Sequence, residues 1–195
     1  MARTPNQARP EELLEAIAAY VAENGLSDLS LRPLARAVGS SPRVLLYYFG
    51  SREKLIAKVF EVARQRQQNW VRAMQGATLH EACLQIWRRM TRPAELPWFQ
   101  LFFEAYGLAI RQPDAHNEFL RHALEDWISK IAQILEPSGC SREDAQSLAT
   151  ALLAGFRGFM LDYCATRERA RVERAFVFWA RALEAEIGKS LGAPK

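Results

Sequence analysis

Cysteine is scarce: Cys83, Cys140 and Cys164 are the only three in 195 residues. An odd number at wide spacing excludes a disulfide framework and fits a reducing compartment. Histidine is equally sparse, and His80, His116 and His122 form no metal pattern. Glu118 and His122 share a helical face at i, i+4, but two ligands do not define a site, so no metal or cofactor is expected. The chain has no phosphate-binding glycine loop, nucleophile elbow or HExxH, which leaves no constellation for an enzyme. No uninterrupted apolar run reaches the roughly 18 residues of a membrane span. The polar opening, residues 1–10, lacks the apolar core of a signal segment, so a cytoplasmic protein without a membrane partner is expected. Alternating runs rich in Val, Ile and Thr are also missing, which argues against a sheet.

The remaining composition, 49% hydrophobic and 25% charged, is that of a globular chain long enough to bury a core. Its net charge of +4 is unevenly placed. Residues 30–58 alone carry +5, from Arg32, Arg36, Arg43, Arg52, Lys54 and Lys58 against Glu53. Residues 1–29 carry −3 and residues 59–195 only +2. A basic cluster of this kind is either a solvated face or the electrostatic footprint of a polyanion site.

Helical periodicity runs through the chain and predicts an all-α fold of about nine helices. Leu13, Leu14, Ile17, Tyr20 and Val21 form an i, i+3/i+4 stripe that stops at Asn24-Gly25. Ser30 is placed to cap a short second helix, with Pro33 tolerated in its first turn. Gly39-Ser40 ends that helix, and Ser41-Pro42 opens a third through about Tyr48. Ser51 opens a longer fourth helix with Leu55, Val59 and Val62 on one side. Breaks at Thr78, Arg92-Pro93, Gln112-Pro113, Glu136–Gly139 and Arg167 separate further segments of roughly 78–92, 95–111, 114–135, 141–166 and 168–189. Pro97 and Gly107 are expected to interrupt the segment that contains them.

Two short helices joined by a glycine turn inside a basic window form a helix-turn-helix pattern, whose second helix fits a DNA major groove. Val38, Leu45 and Phe49 are expected to pin the third helix, leaving Pro42 and Arg43 at its exposed start. The chain here resembles the DNA-binding region of the TetR-type (TetR/AcrR) family of bacterial transcriptional regulators. The resemblance rests on Ser30, Leu34-Ala35, Gly39, Ser41, Tyr47-Tyr48-Phe49, Arg52 and Leu55 and covers residues 9–58. It implies base or phosphate contact at Arg32, an interface role for Ser41, base readout at Pro42 and Arg43, and phosphate contact around Tyr47, Tyr48 and Arg52. The position most often tyrosine in the family is Leu46 here, with Tyr47 adjoining it. Tyr48 could equally pack between helices three and four, and Arg3 and Arg9 could form an arm on DNA or an uninvolved tail.

The expected organisation is a helix-turn-helix head at residues 1–50, with an arm over about 1–9, and a helical ligand-binding and dimerisation domain at 51–195. Trp87, Trp98, Phe102, Phe103, Tyr106 and Trp127 either line a small-molecule pocket or fill a core. Leu148, Leu152, Phe156, Phe159, Tyr163, Phe176, Trp179 and Leu183 exceed one buried face and suggest an isologous homodimer made by a four-helix bundle. The function expected is a ligand-responsive repressor that binds a palindromic operator in double-stranded DNA as a homodimer and is released by a small, largely apolar effector. The alternative is a helical interaction or lipid-carrying protein of the same fold without DNA binding.

Overall fold

The computed structural model describes residues 10–27, 29–72, 78–111, 117–136 and 141–192. Regular structure among them is helical throughout: α1 (Pro10–Asn24), α2 (Leu31–Ala37), α3 (Pro42–Phe49), α4 (Arg52–Arg72), α5 (Leu79–Met90), α6 (Leu96–Arg111), α7 (Asn117–Leu135), α8 (Arg142–Thr166) and α9 (Arg169–Gly192). The all-α expectation therefore holds. The arm expected over residues 1–9, together with Cys140 and His116, lies outside the described residues, as does the side chain of Glu118.

Two compact units divide the chain: residues 1–73 with 100–105, and residues 74–99 with 106–195. The first holds α1 to α4 and the middle of α6. Its core is Leu13, Ile17, Val21, Leu34, Ala35, Leu45, Phe49, Leu55, Val59 and Val62, all buried. Leu55, Val59 and Val62 are one stripe of α4, and α4 packs on α1 and α3. As a packed body the head thus carries α4 with it, beyond the residue 50 at which the functional head was expected to end.

In the second unit α8 packs on α7 and α9, and α5 packs on α9. Thr78 and Glu81 close a reciprocal capping box on α5, and the Ser141 hydroxyl accepts from the Asp144 N–H to cap α8. The Glu184 carboxylate of α9 accepts the His80 N–H of α5 at 3.2 Å. Nearby, burial pushes the Cys83 thiol up to about 12, and the Glu184 charge adds to the rise, so Cys83 serves as an apolar filler. Pro97 does not interrupt α6. It lies in the helix's first turn, where proline lacks no needed donor, and the helix continues through Gly107 to Arg111.

Helix α8 is long enough and apolar enough in composition to cross a bilayer. Its packing is nevertheless that of a bundle helix. Ala145, Ala149, Leu152 and Met160 are buried, and the Arg157 guanidinium from its middle donates to the Ala123 carbonyl of α7 and lies 5.4 Å from the centroid of the Tyr106 ring.

The corner after α8 turns on Arg167, the one described non-glycine residue in the left-handed region (φ 61°), whose N–H returns to the Tyr163 carbonyl. Arg171 secures the corner with a two-pronged grip on Asp162, at 2.9 and 2.6 Å, and a third bond to Glu168 at 2.6 Å. The Arg171 hydrogen bonds hold the Asp162 carboxyl below the usual aspartate range. A folded-state pKa depressed in this way contributes stability above the unfolded pKa near 4 and loses it as pH falls through the folded value. The wild-type chain should therefore be more stable than Asp162→Asn at neutral pH, with the gap closing at pH values below about 4. Urea unfolding of both proteins across that range checks it, and a gap that does not change with pH would remove the ion pair as its cause.

Candidate nucleic-acid interface

The head's turn is built by local chemistry. Gly25 ends α1 at φ +75°, its N–H returning to the Val21 carbonyl at 2.9 Å. Ser30 takes the N-cap position of α2 with extended backbone, but its hydroxyl makes no cap bond. After α2, Gly39 adopts φ +66° and the Ser40 N–H reaches back to the Ala35 carbonyl at 2.8 Å, the six-to-one bond of a glycine-terminated helix. Ser41 then caps α3, its Oγ accepting from the Val44 N–H at 3.3 Å, and Pro42 starts the helix. Ser51 caps α4 in the same manner through the Lys54 N–H at 3.2 Å.

Helix α3 has two faces. Leu45 and Phe49 are buried, as expected, while Val38 before it is only half-buried. The opposite face presents Arg43, Val44, Leu46 and Tyr47, and Tyr47 is the most exposed, at 82%. Tyr47 meets Tyr48 edge-on, with ring centroids 5.2 Å apart, and Tyr48 leans on Phe49 at 6.3 Å. Tyr48 is therefore shared between surface and support, whereas Tyr47 stands outward beside the exposed Leu46. Arg32 and Arg36 of α2 and Lys54 and Lys58 of α4 are exposed as well. Glu53 is the single acid of this basic stretch. Hydrogen bonds from its own backbone N–H and from Ser51 hold its carboxyl below the usual range, so it remains charged at the start of α4.

Arg52 differs from its neighbours. Its Nε donates to the Leu29 carbonyl at 3.1 Å and its Nη2 to the Leu26 carbonyl at 3.4 Å. The half-buried guanidinium is thus turned onto the α1–α2 connection, unlike the exposed cations around it. The residue that sequence reading missed is Glu104 of α6. Its Oε2 accepts the Leu26 N–H at 2.9 Å, and its Oε1 accepts the Ser27 N–H at 2.8 Å and the Ser27 hydroxyl at 2.5 Å. A separation of 77 and 78 residues leaves no local signal for such a contact. The exposed apolar Val44 was missed too, although α-helical spacing places it opposite the buried Leu45 and Phe49.

The residues expected to meet a ligand are differently placed. Trp87 is fully buried, stacked on Phe176 at 4.6 Å and 16° and edge-on to Tyr163. Of the two places open to it, lining a pocket or filling the core, Trp87 takes the core in this chain. Trp98 is buried, while Phe102, Phe103, Tyr106 and Trp127 are half-buried, with Phe102 edge-on to Phe103 and Tyr106 beside Arg157.

The residues expected at a dimer interface divide between the buried and the half-buried. Phe176 is fully buried, its ring touching Phe156, Phe159 and Trp179 within the same chain, and Leu152 is buried as well. Trp179 closes onto Gly155, where a Cβ would stand 2.2 Å from the indole ring. Leu148, Phe156, Phe159, Tyr163, Trp179 and Leu183 are half-buried. The apolar surplus of α8 and α9 is thus largely consumed inside one chain. Their outward faces instead carry Ala151, Ala154, Gly158, Leu161 and Phe178, the last 77% exposed.

These features define a protein with a helix-turn-helix head on a helical body. Residues 13–59 match the model of the bacterial regulatory proteins of the tetR family. No curated protein matches the chain. Among solved structures, a Rhodococcus sp. protein assigned to the TetR family of transcriptional regulators superposes with a TM-score of 0.73 at 19% identity, over 90% of this chain and 98% of that one. A transcriptional regulator from Rhodococcus sp. Rha1 gives 0.72 at 19% identity, over 93% and 95%. At that identity the likeness speaks to the fold, while the family model speaks to the head. Residues 13–59 thus carry the head of the tetR-family bacterial regulatory proteins, and the chain as a whole shares the fold of the two solved regulators.

A helix as short as α3 depends on its cap. Ser41→Ala should lower the unfolding free energy by about 1 kcal/mol, read as a fall in the urea midpoint at unchanged slope. An unchanged midpoint would show that the Ser41 hydroxyl does not hold the helix start.

Proposed function

We propose that the protein is a repressor that holds a palindromic operator as a homodimer and releases it when a small, largely apolar molecule binds. The observation that carries this reading is the outward face of α3. It combines a cation at the helix start, apolar side chains and an exposed tyrosine, within a stretch, residues 30–58, of net charge +5. In this reading Pro42 and Arg43 reach base edges, with Arg43 suited to guanine, and Val44 offers a methyl surface to thymine. Arg32, Tyr47 and Tyr48 hold phosphates, and Ser41 contributes by fixing the start of α3. Tyr47, not the residue at Leu46, supplies the phenol that members of the family commonly carry one position earlier. Arg52 supports the head from within.

Residues 1–50 then make the DNA-contacting head and residues 51–195 the sensing and dimerising part. A homodimer suits the head because two recognition helices about 34 Å apart meet successive major grooves. The outward faces of α8 and α9 supply a surface for a second copy, with Phe178 and Leu161 as apolar anchors and Ala151, Ala154 and Gly158 allowing close approach. The effector acts by linkage: it binds better to a form whose heads are wrongly spaced for the operator. Half-buried Phe102, Phe103, Tyr106 and Trp127 are the aromatic residues available to it.

Selection of bound sequences from random duplex DNA should return a palindrome, and no enrichment would remove the DNA-binding reading. Against the selected duplex, Arg43→Ala should cost about 1–3 kcal/mol at one base step per half-site and relax preference there. An equal loss on all DNA would make Arg43 a phosphate contact. Phe178→Glu should yield monomers in sedimentation, and a persistent dimer would place the interface elsewhere.

A further inference from the structure

The connection between α1 and α2 is gripped from two sides by opposite charges. One peptide unit, Leu26–Ser27, carries the centre of this grip. Its carbonyl accepts from Arg52 of α4 at 3.4 Å, and its N–H donates to Glu104 of α6 at 2.8 Å. Around it, Glu104 takes the Leu26 N–H and the Ser27 hydroxyl, and Arg52 takes the Leu29 carbonyl. Leu26 and Leu29 bury their side chains, so the connection is anchored by core as well as by charge. Gly25 completes the fit, because a Cβ there would stand 2.9 Å from Glu104 Oε2.

Glu104 occupies a particular place in its helix. Residues 100–105 pack with the head, whereas 96–99 and 106–111 of the same unbroken α6 pack with the other unit. The connection that Glu104 holds leads directly into α2, and through the glycine turn into α3.

We infer that Glu104 is a positioning residue for DNA binding: its carboxylate fixes the α1–α2 connection, from which α2 and the recognition helix follow. The inference rests on the DNA-binding reading above and adds a residue outside the helix-turn-helix on which that binding depends. It requires no direct contact between Glu104 and DNA. In Glu104→Gln the side chain keeps its size, loses its charge and turns an NH2 group toward donors that need acceptors. The grip should then open without disturbing the core.

The test uses the full chain, the duplex recovered by selection and a scrambled duplex of the same length. Glu104→Gln should bind the selected duplex about tenfold more weakly, the scale expected for lost charge-assisted hydrogen bonds. Its affinity for the scrambled duplex and its helix content should be unchanged, a split that a merely structural role would not produce. Hydrogen exchange at the Leu26 and Ser27 amides should accelerate in the variant. In the wild-type chain it should slow when the selected duplex is bound, since coupling is reciprocal. Ser27→Ala, which removes the hydroxyl bond alone, should move every reading in the same direction by a smaller factor, and it decides the matter if Glu104→Gln loses helix content. Undiminished preference for the selected duplex in the variants overturns the inference and leaves the DNA-binding reading standing. A wild-type chain that prefers no duplex sinks that reading, while the exchange rates still report whether Glu104 holds the connection.

Discussion

Helices of seven and eight residues do not persist in water on their own, because too few hydrogen bonds repay the ordering of the first turn. Both helices of the turn are that short. Their existence depends on burying Leu34, Ala35, Leu45 and Phe49 against α1 and α4, and on satisfying their orphaned ends through Gly39, Ser41 and the chain before α2. The outward face of α3 is therefore not an independent module. Two of its eight residues are spent inward, and what remains for a partner, above all Arg43, Val44, Leu46 and Tyr47, is presented at an angle that the core sets.

Much of this was legible in the sequence because the signals are local. Asn24-Gly25 stops α1, Gly39 turns the chain, Ser41-Pro42 starts α3, and Thr78 with Glu81 starts α5. Each is a backbone group finding a partner within five residues, so the residue types announce the geometry. Pro97 shows where such reading fails. A proline within an apolar segment reads as a break, but in a first turn it costs nothing, and only the position of the helix start decides between the two. Glu104 and Arg52 show a deeper limit. Nothing in the pattern of α6 says that one of its carboxylates will close on a peptide near residue 26.

The α8–α9 pair illustrates a different ambiguity. Leu148, Leu152, Phe156, Phe159 and Tyr163 form a helical stripe that reads as more than one chain needs. Helix α8 has α7 on one side and α9 on another, so its apolar arc is wide for reasons internal to the chain. Large rings close on each other around Phe176, and the face of α8 left outside carries mostly small residues, with Leu161 among them. Periodicity reports how wide an apolar face is, not which part of it a neighbour will cover. Phe178 is the more telling residue, since a large ring left outside on a helix whose other rings are enclosed needs a reason.

The basic stretch at residues 30–58 carries the same lesson into electrostatics. Counted along the chain, its six cations are equivalent. In space, five face solvent and one, Arg52, faces the backbone. Cations gathered on a small head repel one another, and turning one guanidinium onto carbonyl oxygens gives its charge a partner that is not a competing acid. The Leu26–Ser27 peptide then lies with its carbonyl toward Arg52 and its N–H toward Glu104, its dipole aligned with the field of the two charges. Each bond polarises the peptide in the sense that strengthens the other, so the two grips are cooperative. Loosening Glu104 must weaken the hold of Arg52, although the two side chains come from different helices. A single peptide unit thereby joins α4 and α6 at the root of α2.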